Sequence, residues 1–127
     1  MKRFGFYREH FSVPTELPSI HDIPLSLDSV IEDILGYLEG NPTAVDYTEA
    51  SDCLLGCGAL LVGCSSVKTD GEWVWRHDTH HYVSEHGLSV PPEFMTWGED
   101  RRWVVVRGEW ENVEIFDEAL AVSRSLE

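Results

Sequence analysis

Residues 69–94 read TDGEWVWRHDTHHYVSEHGLSVPPEF, and this segment contains the clearest local signals in the chain. Asp70-Gly71 is a tight-turn pair, because glycine accepts a positive φ and aspartate tolerates it. The alternating residues that follow predict a strand with Trp73 and Trp75 on one face and the intervening valine on the other. The segment therefore predicts one arm of a β-hairpin.

The other arm and two helices are expected on either side of that strand. Residues 66–68 lie at the right distance from the turn to pair with the tryptophan-bearing strand. Asp78-Thr79 can cap a helix that runs to His86, and Gly87 can end it. Pro91-Pro92 indicates the start of a second helix, because proline at a first-turn position loses no hydrogen bond.

The rest of the chain gives further elements. Apolar residues recur at helical spacing from Ser26 to Glu39, and Gly40-Asn41-Pro42 closes that helix. The β-branched run at 101–107 predicts a strand. Further patterns predict strands at 3–11, 59–62 (buried) and 110–116, a turn at 98–100, an irregular proline-rich arm at 12–24, and a last helix after Asp117. We expect residues 1–127 to form a single acidic α+β domain, with a small, mainly antiparallel sheet packed against three or four helices.

Charge is the most unusual property of the composition. The chain carries 23 Asp and Glu against 9 Lys and Arg, a formal net charge of −14. No Lys or Arg occurs between Arg8 and Lys68, whereas ten acids lie between Glu9 and Asp52. Such a distribution favours cationic partners and disfavours nucleic acid and anionic membranes, although an acidic surface can also serve solubility alone.

The cysteines and the N-terminus indicate a cytoplasmic protein. Cys53, Cys57 and Cys64 are odd in number and lie in an apolar stretch, so we expect buried, reduced thiols. Their C-x3-C-x6-C spacing does not match a zinc site, and we assign no metal ligand and no cofactor. No apolar segment is long enough for a transmembrane helix, and the N-terminus lacks the apolar run of a signal peptide.

Histidines offer the main alternative to a binding function. His77, His80 and His81 lie close together, and a helix that reached back to His77 would place it on one face with His81. This group could serve a metal-dependent enzyme or a metal-binding protein. However, H-E-x-x-H, G-x-S-x-G and phosphate-loop motifs are all absent. We therefore assign no catalytic residue and expect a protein that is not an enzyme.

The segment 69–94 also resembles a group of small bacterial proteins. They share its TDGxWxW sequence, its Tyr82-Val83 pair and a PxxF close, here Pro91 to Phe94, and are similar to immunity proteins of polymorphic toxin systems. This chain has Val90-Pro91-Pro92 where the group more usually has Leu-Pro, and His80-His81 where aromatic or aliphatic residues are typical. The resemblance implies a toxin inhibitor, and it assigns no catalytic residue to this chain.

The resemblance and the charge agree on a partner class. An immunity protein that presents acids to a basic toxin would bind it faster through opposed potentials. The expected partner-binding acids come from the base-free half: Asp28, Glu32, Asp33, Asp46, Glu49 and Asp52. We also expect a well-packed aromatic anchor among them. A phage-encoded inhibitor that mimics nucleic acid with its acidic surface remains a third alternative.

Overall fold

The computed structural model describes residues 2–12, 16–26, 29–105 and 121, and within them it contains six strands and three α-helices. The strands are β1 (Lys2–Arg3), β2 (Thr43–Val45), β3 (Ala50–Asp52), β4 (Leu60–Val62), β5 (Val67–Thr69) and β6 (Trp73–Arg76). The helices are α1 (Ile31–Gly40), α2 (Thr79–His86) and α3 (Pro92–Asp100), with 3₁₀ turns at Arg8–His10 and Ile20–Asp22.

The main sheet has the strand order β1-β6-β5-β2, and a separate two-stranded sheet pairs β3 with β4. The predicted hairpin is confirmed, because β5 pairs antiparallel with β6 and Thr69 lies opposite Val74. The pairs β2–β5 and β3–β4 are also antiparallel, whereas β1 lies parallel to β6. The prediction of a single α+β domain with a mainly antiparallel sheet is therefore confirmed.

The turn between β5 and β6 fastens the hairpin to two helices. The buried carboxylate of Asp70 accepts hydrogen bonds from the backbone N–H groups of Glu72 (3.0 Å) and Trp73 (2.8 Å). It also accepts one from the Tyr37 hydroxyl of α1 (2.5 Å) and one from Trp97 Nε1 of α3 (2.9 Å). One aspartate thus joins the turn, α1 and α3.

The two faces of β6 build two different parts of the core. Trp73 and Trp75 are buried with Tyr37 and Phe94 in a cluster between the sheet and the helices α1 and α3. Val74 faces the opposite side and packs in a second cluster on the other surface of the sheet. This arrangement confirms the predicted alternation along the strand.

Two helices differ in extent from the prediction. The first begins at Ile31 rather than Ser26, and it ends at Gly40 as expected. The third begins at Pro92 as expected but continues to Asp100, through the segment predicted to be a turn. Position 98 of this helix needs a glycine because the ring of Trp103 packs against it: a Cβ atom there would lie 2.0 Å from that ring.

The extent of α2 matches its prediction, but Asp78 precedes the helix without making the predicted side-chain capping hydrogen bond. The helix starts directly after Asp78 and ends where Gly87 adopts a left-handed conformation with φ +67°. Tyr82 and Val83 are buried, as expected for an amphipathic helix that keeps its histidines toward the surface.

The predicted strand at 101–107 is wrong over its described part. Residues 101–103 form a turn in which Arg102 and Trp103 have positive φ values of 55° and 54°. The N–H of Trp103 donates to the carbonyl of Gly98 (2.8 Å), so these residues close the end of α3 instead of extending into a sheet. Residues 106 and 107 lie outside the described residues.

The N-terminal strand is also shorter than predicted. The expected strand at 3–11 is reduced to β1, because Gly5 has φ +78° and the chain then forms the first 3₁₀ turn. The described part of the arm at 12–24 contains only the second 3₁₀ turn, in agreement with an irregular segment. The predictions for 110–116 and for the helix after Asp117 lie outside the described residues, apart from Ala121, which is helical.

The strand predicted as buried at 59–62 is β4, which is buried on one face only. Leu60 and Val62 are 62% and 68% exposed, whereas Leu61 between them is half-buried and packs against a core cluster. β4 pairs with β3 in a separate two-stranded sheet. Within the described ranges, no helix has both the length and the apolar character needed to cross a bilayer.

Candidate functional site

Two of the predicted partner-binding acids lie at the start of α1. Glu32 and Asp33 occupy its first turn, and both are exposed. Carboxylates at this end of a helix are favoured by the helix dipole, so they stabilise α1 as well as adding surface charge. Asp28 lies outside the described residues.

Three further acids lie along the second sheet and the turn beside it. Asp46, Glu49 and Asp52 are all exposed. The Ser66 hydroxyl donates to Asp46 Oδ1 (3.1 Å), and the neighbouring Ser65 hydroxyl donates to Glu49 Oε1. One turn of the chain therefore brings two of the predicted acids together.

An apolar surface lies next to these acids, on one face of the hairpin β3–β4. The antiparallel register sets Ala50 opposite Val62 and Asp52 opposite Leu60. Side chains of such pairs project from the same side of a sheet, and all four of these residues are exposed. We refer to Ala50, Asp52, Leu60 and Val62 as the hairpin face. It combines two large aliphatic side chains with a carboxylate.

The first two basic residues that follow the base-free half do not neutralise this surface. Lys68 is buried, donates from Nζ to the backbone carbonyl of Glu39 (2.6 Å), and burial lowers its pKa. Arg76 is buried and makes two hydrogen bonds of 3.1 Å to the carboxylate of Asp78. Both cations are thus used inside the fold.

Asp78 also lies against His10 of the N-terminal arm. The backbone N–H of Tyr7 donates to His10 Nδ1 (3.1 Å), which places the proton of the neutral ring on Nε2. This Nε2 faces Asp78 Oδ2 at 3.4 Å, with both side chains buried. Burial lowers the pKa of His10, against the opposing effect of the Asp78 carboxylate.

The histidine group proposed from the sequence is not assembled as expected. His77 lies in the turn before α2 and is exposed, because the helix begins only at Thr79 and does not reach back to it. The Nε2 atom of His80 lies 3.7 Å from Oε2 of Glu39. His81 instead faces Cys57, with Nε2 3.4 Å from the thiol sulfur.

A different set of side chains converges between the β3–β4 loop and α2. Cys53 Sγ lies 3.3 Å from His86 Nε2, beside the contact between Cys57 and His81. One ligand atom from each of these four residues lies within 4.8 Å of the other three, the one such group identified among the described residues. We call Cys53, Cys57, His81 and His86 the thiol–imidazole cluster.

The local backbone explains how the loop presents both sulfurs. Gly56 and Gly58 have φ values of +75° and +85°, which let the chain turn tightly around Cys57. Burial would raise the pKa of the Cys53 thiol, but hydrogen bonds from Cys57 and from the backbone of Leu55 lower it overall. The loop backbone thus holds the Cys53 sulfur by a hydrogen bond.

A second contact fixes this loop on α2. The backbone N–H of Leu54 donates to the Tyr82 hydroxyl (3.0 Å), on the helical turn between His81 and His86. Burial raises the pKa of Tyr82 to about 12, so the hydroxyl is neutral at physiological pH. The two halves of the cluster are therefore placed by contacts of their neighbours.

The cluster corrects one prediction and was missed by the sequence analysis. Cys57 is exposed, because the glycine turn carries it outward, whereas Cys53 and Cys64 are buried as expected. The available signal was the pair C-x3-C with H-x4-H, since both spacings fit zinc sites that draw two cysteines and two histidines from separate segments.

Comparisons of the chain with protein-family models, with curated proteins and with solved structures found no match.

Proposed function

We propose that this protein is a cytoplasmic immunity protein that neutralises a cognate toxin by binding a basic surface of that toxin. The observation that carries the proposal is the exposure of the predicted acids: Glu32, Asp33, Asp46, Glu49 and Asp52 are all exposed. Lys68 and Arg76, the next bases along the chain, are buried in internal contacts. The resemblance of residues 69–94 to immunity proteins supports the same class.

The physical role of the acids is to accelerate encounter. A protein of net charge −14 attracts a basic partner over about a Debye length, roughly 8 Å at physiological ionic strength. Rim charges of this kind act mainly on the association rate constant. An inhibitor that must capture a toxin before it acts benefits from that rate.

The hairpin face supplies the apolar contact that such a complex needs. Leu60 and Val62 are exposed side by side with Asp52, and Glu49 precedes β3. Aliphatic side chains that lose water in a complex slow its dissociation. Among the described residues the large exposed apolar side chains are aliphatic, so the anchor in our proposal is Leu60 with Val62 in place of the expected aromatic residue.

The cytoplasmic location is part of the proposal. Cys53, Cys57 and Cys64 are free thiols in the fold. Free thiols of this kind persist in a reducing compartment, where disulfides are rare.

The test is capture of the partner from the native host with tagged protein, followed by quantitative mass spectrometry. We expect one stoichiometric protein with a basic domain. A charge variant combines Glu32→Gln, Asp33→Asn, Asp46→Asn, Glu49→Gln and Asp52→Asn. Its matched control neutralises five exposed acids elsewhere: Glu16, Glu72, Glu85, Glu99 and Asp100. Equal recovery with both variants, or no stoichiometric partner, would contradict the proposal.

A separate prediction concerns the hairpin face. Leu60→Ser with Val62→Ser removes most of its apolar area, so the complex with the captured partner should dissociate at least about tenfold faster, since about 1.4 kcal/mol of lost contact changes a rate tenfold. The association rate should change little, because the charges are retained. Surface plasmon resonance measures both rates. Thr43→Ala, an exposed change on β2, is the control.

A further inference from the structure

The cluster has the ligand set of a closed metal site. Two sulfurs and two imidazole nitrogens are the donors typical of structural zinc, which is four-coordinate and tetrahedral. Cys53 and Cys57 come from the loop after β3, whereas His81 and His86 come from α2. A site of this kind joins two segments that are distant in sequence.

The distances fit the ion. Zinc with sulfurs at about 2.3 Å and nitrogens at about 2.0 Å separates its ligand atoms by roughly 3.3–3.8 Å. The observed contacts Cys53–His86 and Cys57–His81 are 3.3 and 3.4 Å. The largest separation among the four ligand atoms stays within 4.8 Å. A contraction of about 1 Å across the widest pair would complete the tetrahedron.

The surroundings fit as well. The N–H of Leu55 points at Cys53 Sγ (3.4 Å), and such hydrogen bonds support a coordinating thiolate. The hydrogen bond from the Leu54 N–H to the Tyr82 hydroxyl joins the loop to α2. A hydrogen bond from the Cys53 N–H to the Ala59 carbonyl (3.0 Å) closes the loop itself. Two thiolates and one Zn²⁺ also sum to zero charge, which suits a half-buried position.

Neither simpler role explains all four side chains. A thiol nucleophile activated by an imidazole needs one cysteine and one histidine, as in the Cys57–His81 pair. It would give no reason for a second such pair at the same place. A Cys53–Cys57 disulfide would likewise give no role to the two histidines. Convergence of all four ligand atoms is the property that metal binding requires.

We propose that Cys53, Cys57, His81 and His86 form a structural zinc(II) site that fastens the β3–β4 loop to α2. With four protein ligands the ion has no open position, so it stabilises the fold and performs no catalysis. Through the loop it also steadies β3 and β4, which carry the hairpin face. The site does not depend on the identity of any partner.

The test is direct titration of the full-length protein, freed of metal and kept reduced, with zinc(II) in competition with a chromophoric chelator. We expect one zinc per chain. Cobalt(II) should give the intense visible absorption of a tetrahedral site with a sulfur-to-metal charge-transfer band. Zinc at 100 times its Kd should raise Tm by about 10 °C.

Variants separate this site from the other candidate ligands. His86→Gln and Cys57→Ser should each weaken zinc binding at least about 100-fold, because loss of mere outer-shell partners already costs 10–100-fold. His77→Gln and Cys64→Ala should retain full affinity, since neither residue belongs to the cluster. Circular dichroism of each metal-free variant confirms folding, and the wild-type cobalt spectrum reports thiolate ligation even where a variant fails to fold.

Three results would overturn the proposal. The first is zinc affinity of the wild type no higher than that of His86→Gln. The second is loss of zinc in His77→Gln with retention in His86→Gln, which would return the site to the histidines predicted from the sequence. The third is a Cys53–Cys57 disulfide that forms in place of metal binding in a cytosol-like redox buffer.

Discussion

Asp70 shows how much of this fold depends on a single carboxylate. It is buried, and among the described residues its four hydrogen-bond donors are two backbone N–H groups, the Tyr37 hydroxyl and the Trp97 indole, none of them from a basic side chain. Hydrogen bonds to an ionised group are stronger than neutral ones, but a buried donor left without its acceptor is costly. The turn dipeptide visible in the sequence is thus also the link between hairpin and helices.

Asp70→Ala should therefore lower the free energy of unfolding by about 3 kcal/mol or more, because Tyr37 and Trp97 lose their acceptor inside the core. Tyr37→Phe should lower the free energy of unfolding less in the Asp70→Ala variant than in the wild type. A double-mutant cycle of urea denaturation experiments measures this coupling. The exposed Asp100→Asn is the control and should change stability by less than about 0.5 kcal/mol. Additive effects of the Asp70 and Tyr37 changes would refute the link.

His10 makes stability depend on pH. Burial lowers its pKa in the folded protein, while the unfolded chain has the ordinary value of about 6.5. Below about pH 6.5 the unfolded state therefore takes up a proton that the folded state does not. Stability contributed by neutral His10 is full above that pH and is lost as pH falls toward the folded-state pKa.

His10→Gln should consequently flatten the fall in unfolding free energy between about pH 7 and pH 5, measured by urea denaturation at each pH. His21→Gln changes an exposed histidine and serves as the control. If the wild type and His10→Gln lost stability in parallel as pH fell, the buried neutral state of His10 would be wrong.

At the scale of elements, two glycines in helices have opposite roles. A Cβ on Gly98 of α3 would lie 2.0 Å from the Trp103 ring, whereas a Cβ on Gly36 of α1 meets nothing within 4 Å. Gly98→Ala should therefore destabilise the protein by about 1–3 kcal/mol through overpacking. Gly36→Ala should stabilise it by about 0.5–1 kcal/mol, because alanine reduces the entropy of the unfolded chain. Thermal denaturation measures the change in Tm of each variant. Equal changes in Tm for Gly98→Ala and Gly36→Ala would contradict the packing of Trp103 on α3.

The elements with strong local signals were predictable. The turn at Asp70, the cap at Gly87 and the start at Pro92 depend on backbone preferences of the residues themselves. These turns and helix ends therefore depend little on which other parts of the chain pack against them. The antiparallel pairing of β5 with β6 follows from the short turn between them.

Elements decided by tertiary contacts were not predictable. The β-branched run after Trp103 favoured a strand, but the packing of that tryptophan on Gly98 turns the chain at 101–103. Leu60 and Val62 have the composition of a buried strand, yet β4 lies in a separate two-stranded sheet. Apolar composition alone does not state which neighbour covers a strand.

The thiol–imidazole cluster lies between these cases. Its two spacings are written in the sequence, but the approach of Cys57 to His81, 24 residues later, depends on how the loop lies on α2. The glycines that allow Cys57 to face outward, at positions 56 and 58, argued locally only against a helix. A paired search for cysteine and histidine doublets would have found it.

For the whole molecule, net charge is the property that the sequence predicts best, and the fold determines which charged side chains are exposed. The excess of acids is a matter of counting, whereas the burial of Lys68 and Arg76 is visible only in the structure. Of the acids proposed to bind, Asp46 and Glu49 are brought to one turn by Ser66 and Ser65. Glu32 and Asp33 lie on α1, a separate element.

The most direct test of the account is the association rate constant with the captured partner, measured by stopped-flow fluorescence as a function of salt. Electrostatic steering predicts a rate that falls steeply as salt increases. The variant with five neutralised acids should associate at least about tenfold more slowly at low salt, and its association rate constant should depend less on salt concentration. The matched control variant should stay close to the wild type. A wild-type rate independent of salt, or identical curves for the two variants, would show that the acidic surface does not direct binding.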